Sequence, residues 1–82
     1  MKHFTYIPSG VCARQIDFDY DDDHIIHNLK YVGGCNGNLK AVGLLVEGMK
    51  LEDVANKLEG NKCGARNTSC ADQLAKAIRE VL

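Results

Sequence analysis

Four cysteines are the side chains of this 82-residue chain that are best suited to chemistry: Cys12, Cys35, Cys63 and Cys70. Cysteine thiolates are ligands of Zn2+ and of iron–sulfur clusters in proteins. The spacing, Cys12-x22-Cys35-x27-Cys63-x6-Cys70, contains no CxxC pair and therefore differs from zinc fingers and zinc ribbons. From the spacing alone, a metal site, a redox pair and unreacted thiols all stay open.

The placement of the cysteines at the ends of predicted elements favours thiolate chemistry. Cys35 comes just before a predicted helix, and Cys70 occupies about the first position of the last one, where free N–H groups and the helix dipole stabilise an anion. Cys63 lies in a loop between two cations, Lys62 and Arg66. We therefore predict one four-thiolate site that holds Zn2+ or an iron–sulfur cluster, with Cys12, Cys35, Cys63 and Cys70 as its ligands.

Two other interpretations of the thiols stay open. Cys63 and Cys70 could form a thiol–disulfide relay that passes electrons to a larger reductase, provided that their Cα atoms approach within about 7 Å. Alternatively, the chain is a structural or dimerising domain whose thiols stay reduced, which leaves a homodimer open.

The remaining polar residues predict no second site. His24 and His27 are three positions apart on a predicted strand and so point to opposite faces, which indicates surface histidines. The aspartates of residues 17–23 lack the spacing of a calcium loop and are typical of a solvated strand face and turn. The glycines around Cys35 lack the Lys-Ser/Thr of a P-loop, so no nucleotide is predicted, and no hydrolase triad is present.

Three strands are predicted in the first part of the chain. The first strand contains Phe4 and Tyr6 at alternate positions. In the second strand, Ile16, Phe18 and Tyr20 alternate with polar residues. Residues 25–32 form the third strand, with Ile25, Leu29 and Tyr31 on one face. The second and third strands are joined by the aspartate turn and are expected to pair antiparallel.

Helical periods follow from residue 36 onwards. The first helix buries Leu39, Val42, Val46 and Met49, with Leu45 beside them, and its two glycines, Gly43 and Gly48, indicate close backbone packing or a bend near Gly48. The second helix spans residues 51–58 and ends at Gly60 as C′. The last helix begins after Ser69 as N-cap, with Asp72 at N3. The order βββααα predicts an α+β fold, with a three-stranded antiparallel sheet and three helices packed on one face.

Composition and charge limit the class of protein. Ten Lys+Arg against eleven Asp+Glu give a net charge of −1, which predicts no direct nucleic-acid partner and no membrane surface. The longest apolar stretch, residues 41–46, is too short to span a bilayer, and the first residues lack the apolar region of a secretory signal. We expect one domain over residues 1–82 in the cytoplasm, where stable disulfides are rare.

The segments around the cysteines resemble the small four-cysteine TSCPD-domain proteins over nearly the whole chain. The resemblance lies in residues 11–13 (VCA), 33–39 (GGCNGNL) and 68–75 (TSCADQLA). The family's Pro is Ala71 here, which weakens the start of the last helix slightly. The resemblance implies a module related to the C-terminal end of adenosylcobalamin-dependent ribonucleotide reductases, and hence a ribonucleotide reductase or a thiol redox protein as partner. The resemblance does not include the barrel of the reductase or the site that generates its radical.

A fainter resemblance connects the chain to the U-type iron–sulfur scaffold proteins. It is carried by Cys12, Cys35, residues 48–52 (GMKLE) and the Lys62-Cys63 pair. It implies a scaffold-like α+β fold on which these three cysteines share a site. Arg14 replaces the scaffold's acidic residue, and Cys70 is an additional thiol that could close a tetrahedral site.

Overall fold

A computed structural model describes residues 1–34 and 36–82 of the protein. For Asn36 it describes the backbone only. Cys35 therefore lies outside the described residues. Three strands precede three helices: β1 Lys2–Tyr6, β2 Ala13–Tyr20, β3 Ile26–Gly33, α1 Asn36–Val46, α2 Leu51–Leu58 and α3 Cys70–Val81. The predicted α+β order is confirmed.

The strands form one antiparallel sheet in the order β1-β2-β3. The predicted pairing of β2 with β3 is confirmed, and Ile16 lies opposite Tyr31. The helices cover one face, since α1 packs on β3, α3 packs on β2, and α2 packs on α3. The fully buried large side chains come from both layers: Phe18, Ile16, Ile26, Leu51, Leu74, Ile78 and Val54. No helix in the described part of the chain has the length and apolar character needed to cross a bilayer.

The predicted buried face of β3 is wrong at the start of the strand, because β3 contains a bulge. Asp17 pairs with Lys30 and Asp19 with His27, so β3 holds one extra residue between the pairs. Asn28, with a φ of 56°, adopts the left-handed conformation there. The buried residue ahead of the bulge is consequently Ile26, and not Ile25 as the alternation predicted.

The connection from α1 to α2 is fixed to the start of β3 by backbone hydrogen bonds. Gly48, at a φ of 81°, donates to the carbonyl of Ile26, and the N–H of Ile26 donates to Met49, both at 2.9 Å. α1 therefore ends at Val46, and Met49 reaches the core from the turn and not from the helix. Leu45, expected beside the apolar face, is 77% exposed.

A histidine joins the aspartate turn to the end of α1. His27 lies 3.0 Å from Asp21 through Nε2 and 2.7 Å from Glu47 through Nδ1. The hydrogen bonds to Asp21 and Glu47 raise the pKa of His27, and its ring lowers the pKa of Asp21. The pKa of Glu47 is lowered first by the backbone N–H of Asn28 and then by His27.

We predict that this cluster makes stability depend on pH. The raised pKa of His27 means that its contribution is full below about pH 6.5, its unfolded value, and is lost as pH rises through the folded value. The lowered carboxyl pKa values mean that their share is lost as pH falls below about 4. The His27→Gln variant should therefore lose most stability near pH 5.5 and less near pH 9, as measured by urea unfolding.

A double-mutant cycle with Glu47→Gln isolates the pair. Its coupling energy should be present at pH 5.5 and should shrink at pH 9 and in high salt. An equal coupling at both pH values would contradict the assignment.

Candidate functional site

Cys70 is held at the first position of α3, as predicted. The preceding residue, Ser69, has extended backbone angles and accepts a hydrogen bond from the N–H of Asp72 at 3.0 Å, which makes Ser69 the N-cap and Asp72 the N3 residue. The carbonyl of Cys70 accepts a hydrogen bond from the Tyr31 hydroxyl at 2.9 Å. Burial, followed by the nearby Cys70 thiol, raises the pKa of Tyr31, so its hydroxyl remains a donor.

The loop that carries Cys63 is anchored to the same helix end. The N–H of Cys63 donates to the carbonyl of Thr68 at 3.2 Å, and the Cys63 carbonyl accepts from the N–H of Arg66 at 3.0 Å. The Ser69 hydroxyl donates to the carbonyl of Asn61 at 2.6 Å. The loop from residue 61 to residue 68 is thus closed on itself next to Cys70.

Asp72 joins the two ends of this loop. Its carboxylate accepts hydrogen bonds from the Thr68 hydroxyl and, at 2.7 Å, from the N–H of Gly60. These two bonds, with Thr68 the larger contributor, lower the pKa of Asp72, which is 5% exposed. The charge is therefore kept at the N-terminal end of α3, where the helix dipole favours it.

Cys12 is brought to α3 by the turn that precedes it. The N–H of Ser9 donates to the side chain of Gln73 at 3.2 Å. A Cβ built on Gly10, whose φ is 72°, would lie 3.4 Å from the methyl group of Thr68. The segment between β1 and β2 therefore lies against the first turn of α3.

The three described cysteines line one cavity, which we call the cysteine cavity. Its volume is about 310 Å3, and its other walls include Leu39 and Val42 of α1. Cys12 and Cys63 are exposed and Cys70 is half-buried, and all three are free thiols. Three segments that are far apart in the sequence thus converge on one space.

A guanidinium group faces the sulfurs of this cavity. Arg66 Nη1 lies 3.5 Å from Cys12 Sγ, and Lys62 also lines the walls. The hydrogen bond to Cys12 raises the pKa of Arg66, and Cys63 and Cys70 would add to this effect in their thiolate form. The sequence placed Arg66 beside Cys63 alone. The bond to Cys12 depends on the fold of the loop, and no local pattern indicates it.

The described residues contain no ready-made metal centre. Within residues 1–34 and 36–82, no group of three or more His, Cys, Asp or Glu side chains is arranged to hold a metal ion. The fourth predicted ligand, Cys35, lies outside the described residues. The prediction of a four-thiolate site therefore stays a prediction, with three of its members on one cavity.

The glycine before Cys35 is required by close packing. Gly34 has a φ of 81°, and a Cβ there would lie 2.9 Å from Leu39 Cδ1 and 3.3 Å from the backbone N of Ala13. Any other L residue would be strained at this φ and would crowd the backbone of Ala13, whereas the Leu39 methyl could rotate away. Gly34 therefore lies between Ala13, which follows Cys12 in the chain, and Leu39, which lines the cysteine cavity.

None of the histidines, and none of the aspartates of residues 17–23, lines the cysteine cavity. His24 is exposed, while His27 bridges Asp21 and Glu47, an arrangement that the sequence interpretation did not include. His3 contacts Asp19 at 2.6 Å across β1 and β2. The His3–Asp19 contact depends on the register of β1 with β2, and the His27 contacts depend on how the aspartate turn and the end of α1 lie beside β3, so the spacing of the residues alone gave no signal for them.

Comparison with known families gives one match. The family model described as the TSCPD domain matches residues 2–82. No curated protein and no solved structure matches the chain. The likeness to the U-type iron–sulfur scaffold proteins receives no support from these comparisons.

We predict that the N-cap of α3 is needed for the geometry of the cavity. Ser69→Ala removes the bond to Asp72 and leaves the carbonyl of Asn61 without its donor, which should cost about 1–2 kcal/mol of unfolding free energy. For a domain of this size, each kcal/mol lowers Tm by about 4–8 °C. Thermal unfolding measures this loss.

Ser9→Ala is the matched control, because Ser9 is exposed and contributes its backbone N–H to the contact with Gln73. It should change Tm little. Equal effects of the two substitutions would contradict the role given to Ser69.

Proposed function

The chain belongs to the TSCPD domain family, and we propose that it is a cytoplasmic metal-binding module that assists ribonucleotide reduction. The family implies a ribonucleotide reductase-associated module. The finer proposal is that Cys12, Cys35, Cys63 and Cys70 hold Zn2+ or an iron–sulfur cluster. Reduction of the nucleotide would belong to the partner, a ribonucleotide reductase.

The observation that carries the metal proposal is the convergence of Cys12, Cys63 and Cys70 on the cysteine cavity. Free cysteines that serve only as small apolar side chains are expected in the core. Here two of the three are exposed, and none belongs to the hydrophobic core cluster. Their common location favours a shared ligand.

Cys35 is the proposed fourth ligand because its neighbours in the chain adjoin the same walls. Gly34 packs against Leu39 and the backbone of Ala13, and Leu39 lines the cysteine cavity. With Cys35 included, the set would contain four thiolates, the number that a structural zinc site uses.

The charge of the surrounding residues fits such a group. Four thiolates around Zn2+ carry a formal charge of −2, and the nearby cations Arg66 and Lys62 would offset it. The described thiols form no metal group by themselves, so at least one of the three would have to move toward the others when a metal binds. Bound Zn2+ would supply a covalent crosslink between the loop, the β1–β2 turn and α3, whereas an iron–sulfur cluster would add electron transfer.

A thiol–disulfide relay is the second candidate. It is favoured by the loop that closes through the N–H of Cys63 and the carbonyl of Thr68, which keeps Cys63 and Cys70 on one cavity. Oxidation of these two thiols to a disulfide would reduce a disulfide of the partner to two thiols. Thiol titration separates the candidates, because the relay loses two free thiols under mild oxidation.

We predict that anaerobically purified protein contains one Zn2+ or one iron–sulfur cluster per chain. Addition of Zn2+ to metal-free protein at 100 times Kd should stabilise it by about 2.7 kcal/mol, or roughly 10–20 °C in Tm. Elemental analysis, an absorption spectrum and thermal unfolding measure the content, the type of centre and the stabilisation.

Single Cys→Ser variants at the four positions should each lose most of this gain. Ala65→Ser is the matched control, since Ala65 is exposed in the loop that carries Cys63. A folded protein that contains no metal and gains no Tm from Zn2+ or iron would contradict the metal proposal.

A further inference from the structure

A second cavity lies between α1 and α2, next to the cysteine cavity. Its volume is about 290 Å3. Its walls include Val42 and Leu45 of α1, Met49 of the turn, and Val54, Leu58 and Lys57 of α2. We call this cavity the docking groove.

The rim of the groove carries an exposed leucine. Leu45 is 77% exposed, although it lies beside the apolar walls formed by Val42 and Leu58. A single exposed leucine is ordinary, but Leu45 is contiguous with the half-buried Val42, Met49 and Leu58, and a contiguous apolar patch of this kind is typical of an interaction surface. The groove therefore offers apolar area that the chain itself does not bury.

The charged residues that line the two cavities all have one sign. Val42 lines both cavities, so the docking groove continues into the cysteine cavity. The charged residues on the two linings are Lys57, Lys62 and Arg66, and no acidic residue is among the described ones that line either cavity. The whole chain has a slight excess of acidic over basic residues, so this concentration of cations is local.

We propose that the docking groove binds an acidic segment of a partner protein, with apolar side chains in the groove and carboxylates beside Lys57 and Lys62. Apolar burial would supply affinity, and the complementary charges would select and orient the segment. The proposal specifies how the accessory role proposed above makes contact with its partner and rests on that role, but it does not require a bound metal.

A displayed library of random twelve-residue peptides, selected on the purified full chain, tests the proposal. Recovered sequences should combine leucine, isoleucine, phenylalanine or methionine with aspartate or glutamate. Fluorescence anisotropy with a recovered peptide should then give a Kd that rises at least tenfold in Leu45→Asp and several-fold in Lys57→Glu.

Both substitutions have matched controls on the other side of α1. Leu44 is 72% exposed and lines a different cavity together with Lys40, away from the docking groove. Leu44→Asp and Lys40→Glu make the same changes of chemistry and should alter the Kd less than twofold. Equal effects of the paired variants would overturn the proposal.

Three further outcomes are decisive against it. They are the recovery of no peptide, the recovery of basic or uncharged peptides, and self-association that Leu45→Asp abolishes, since the last would make the groove an interface between two copies of this chain. The metal content of the same preparation is measured separately. Peptide binding by protein that contains no metal and gains no Tm from Zn2+ or iron would support the docking groove and contradict the metal proposal. Bound metal without peptide binding would give the reverse.

Discussion

The first turn of α3 is the constraint on which the rest of the site depends. Ser69 caps the helix and holds the carbonyl of Asn61, while the buried carboxylate of Asp72 accepts from Thr68 and Gly60. The bond from the N–H of Asp72 to Ser69 uses a free N–H group of the helix start, and the Asp72 carboxylate lies where the helix dipole favours it, so the interactions that begin α3 also close the loop. Cys63 and Cys70 reach one cavity because of this closure.

The strand layer contributes the third sulfur through the same helix end. Gln73 accepts from the N–H of Ser9, and Thr68 packs against Gly10, so the turn before Cys12 is positioned by residues that also belong to the capped loop. An 82-residue domain has a thin core, and its stability depends more strongly than usual on such peripheral bonds. A metal bound by these segments would therefore stabilise the part of the domain to which the hydrophobic core contributes least stability.

Local patterns predicted the structure wherever the determinant is local. The cap at Ser69, the end of α2 before Gly60 and the position of Cys70 follow from residues within one turn of each other, and the structure agrees with them. The prediction that Ile25 lies on the core face of β3 was wrong. The bulge at Asn28 reverses the alternation ahead of it, and this bulge depends on how β3 pairs with β2. Whether two adjacent strands bulge is a property of the pair, and a single strand's alternation does not contain it.

The convergence of the cysteines shows the same limit on a larger scale. The places of Cys12 and Cys70 at element ends and of Cys63 in a loop could be inferred from their neighbours, whereas the bond from Arg66 to Cys12 required the folded loop. The exposure of Leu45 likewise depends on where α1 sits on β3, since its helical period alone put it beside the core. Packing, and not periodicity, decided that residue.

α1 connects the two cavities mechanically. Its C-terminal end is tied to β3 through Gly48 and Ile26, and through the carboxylate of Glu47, which accepts from the N–H of Asn28 at 2.8 Å. Its N-terminal end begins one residue after Cys35, and Val42, near the middle of the helix, lines both cavities. A ligand bond at Cys35 would therefore act at one end of a helix whose other end is fixed. Since the side chain of Val42 forms part of both walls, it is the point at which a change in one cavity would reach the other.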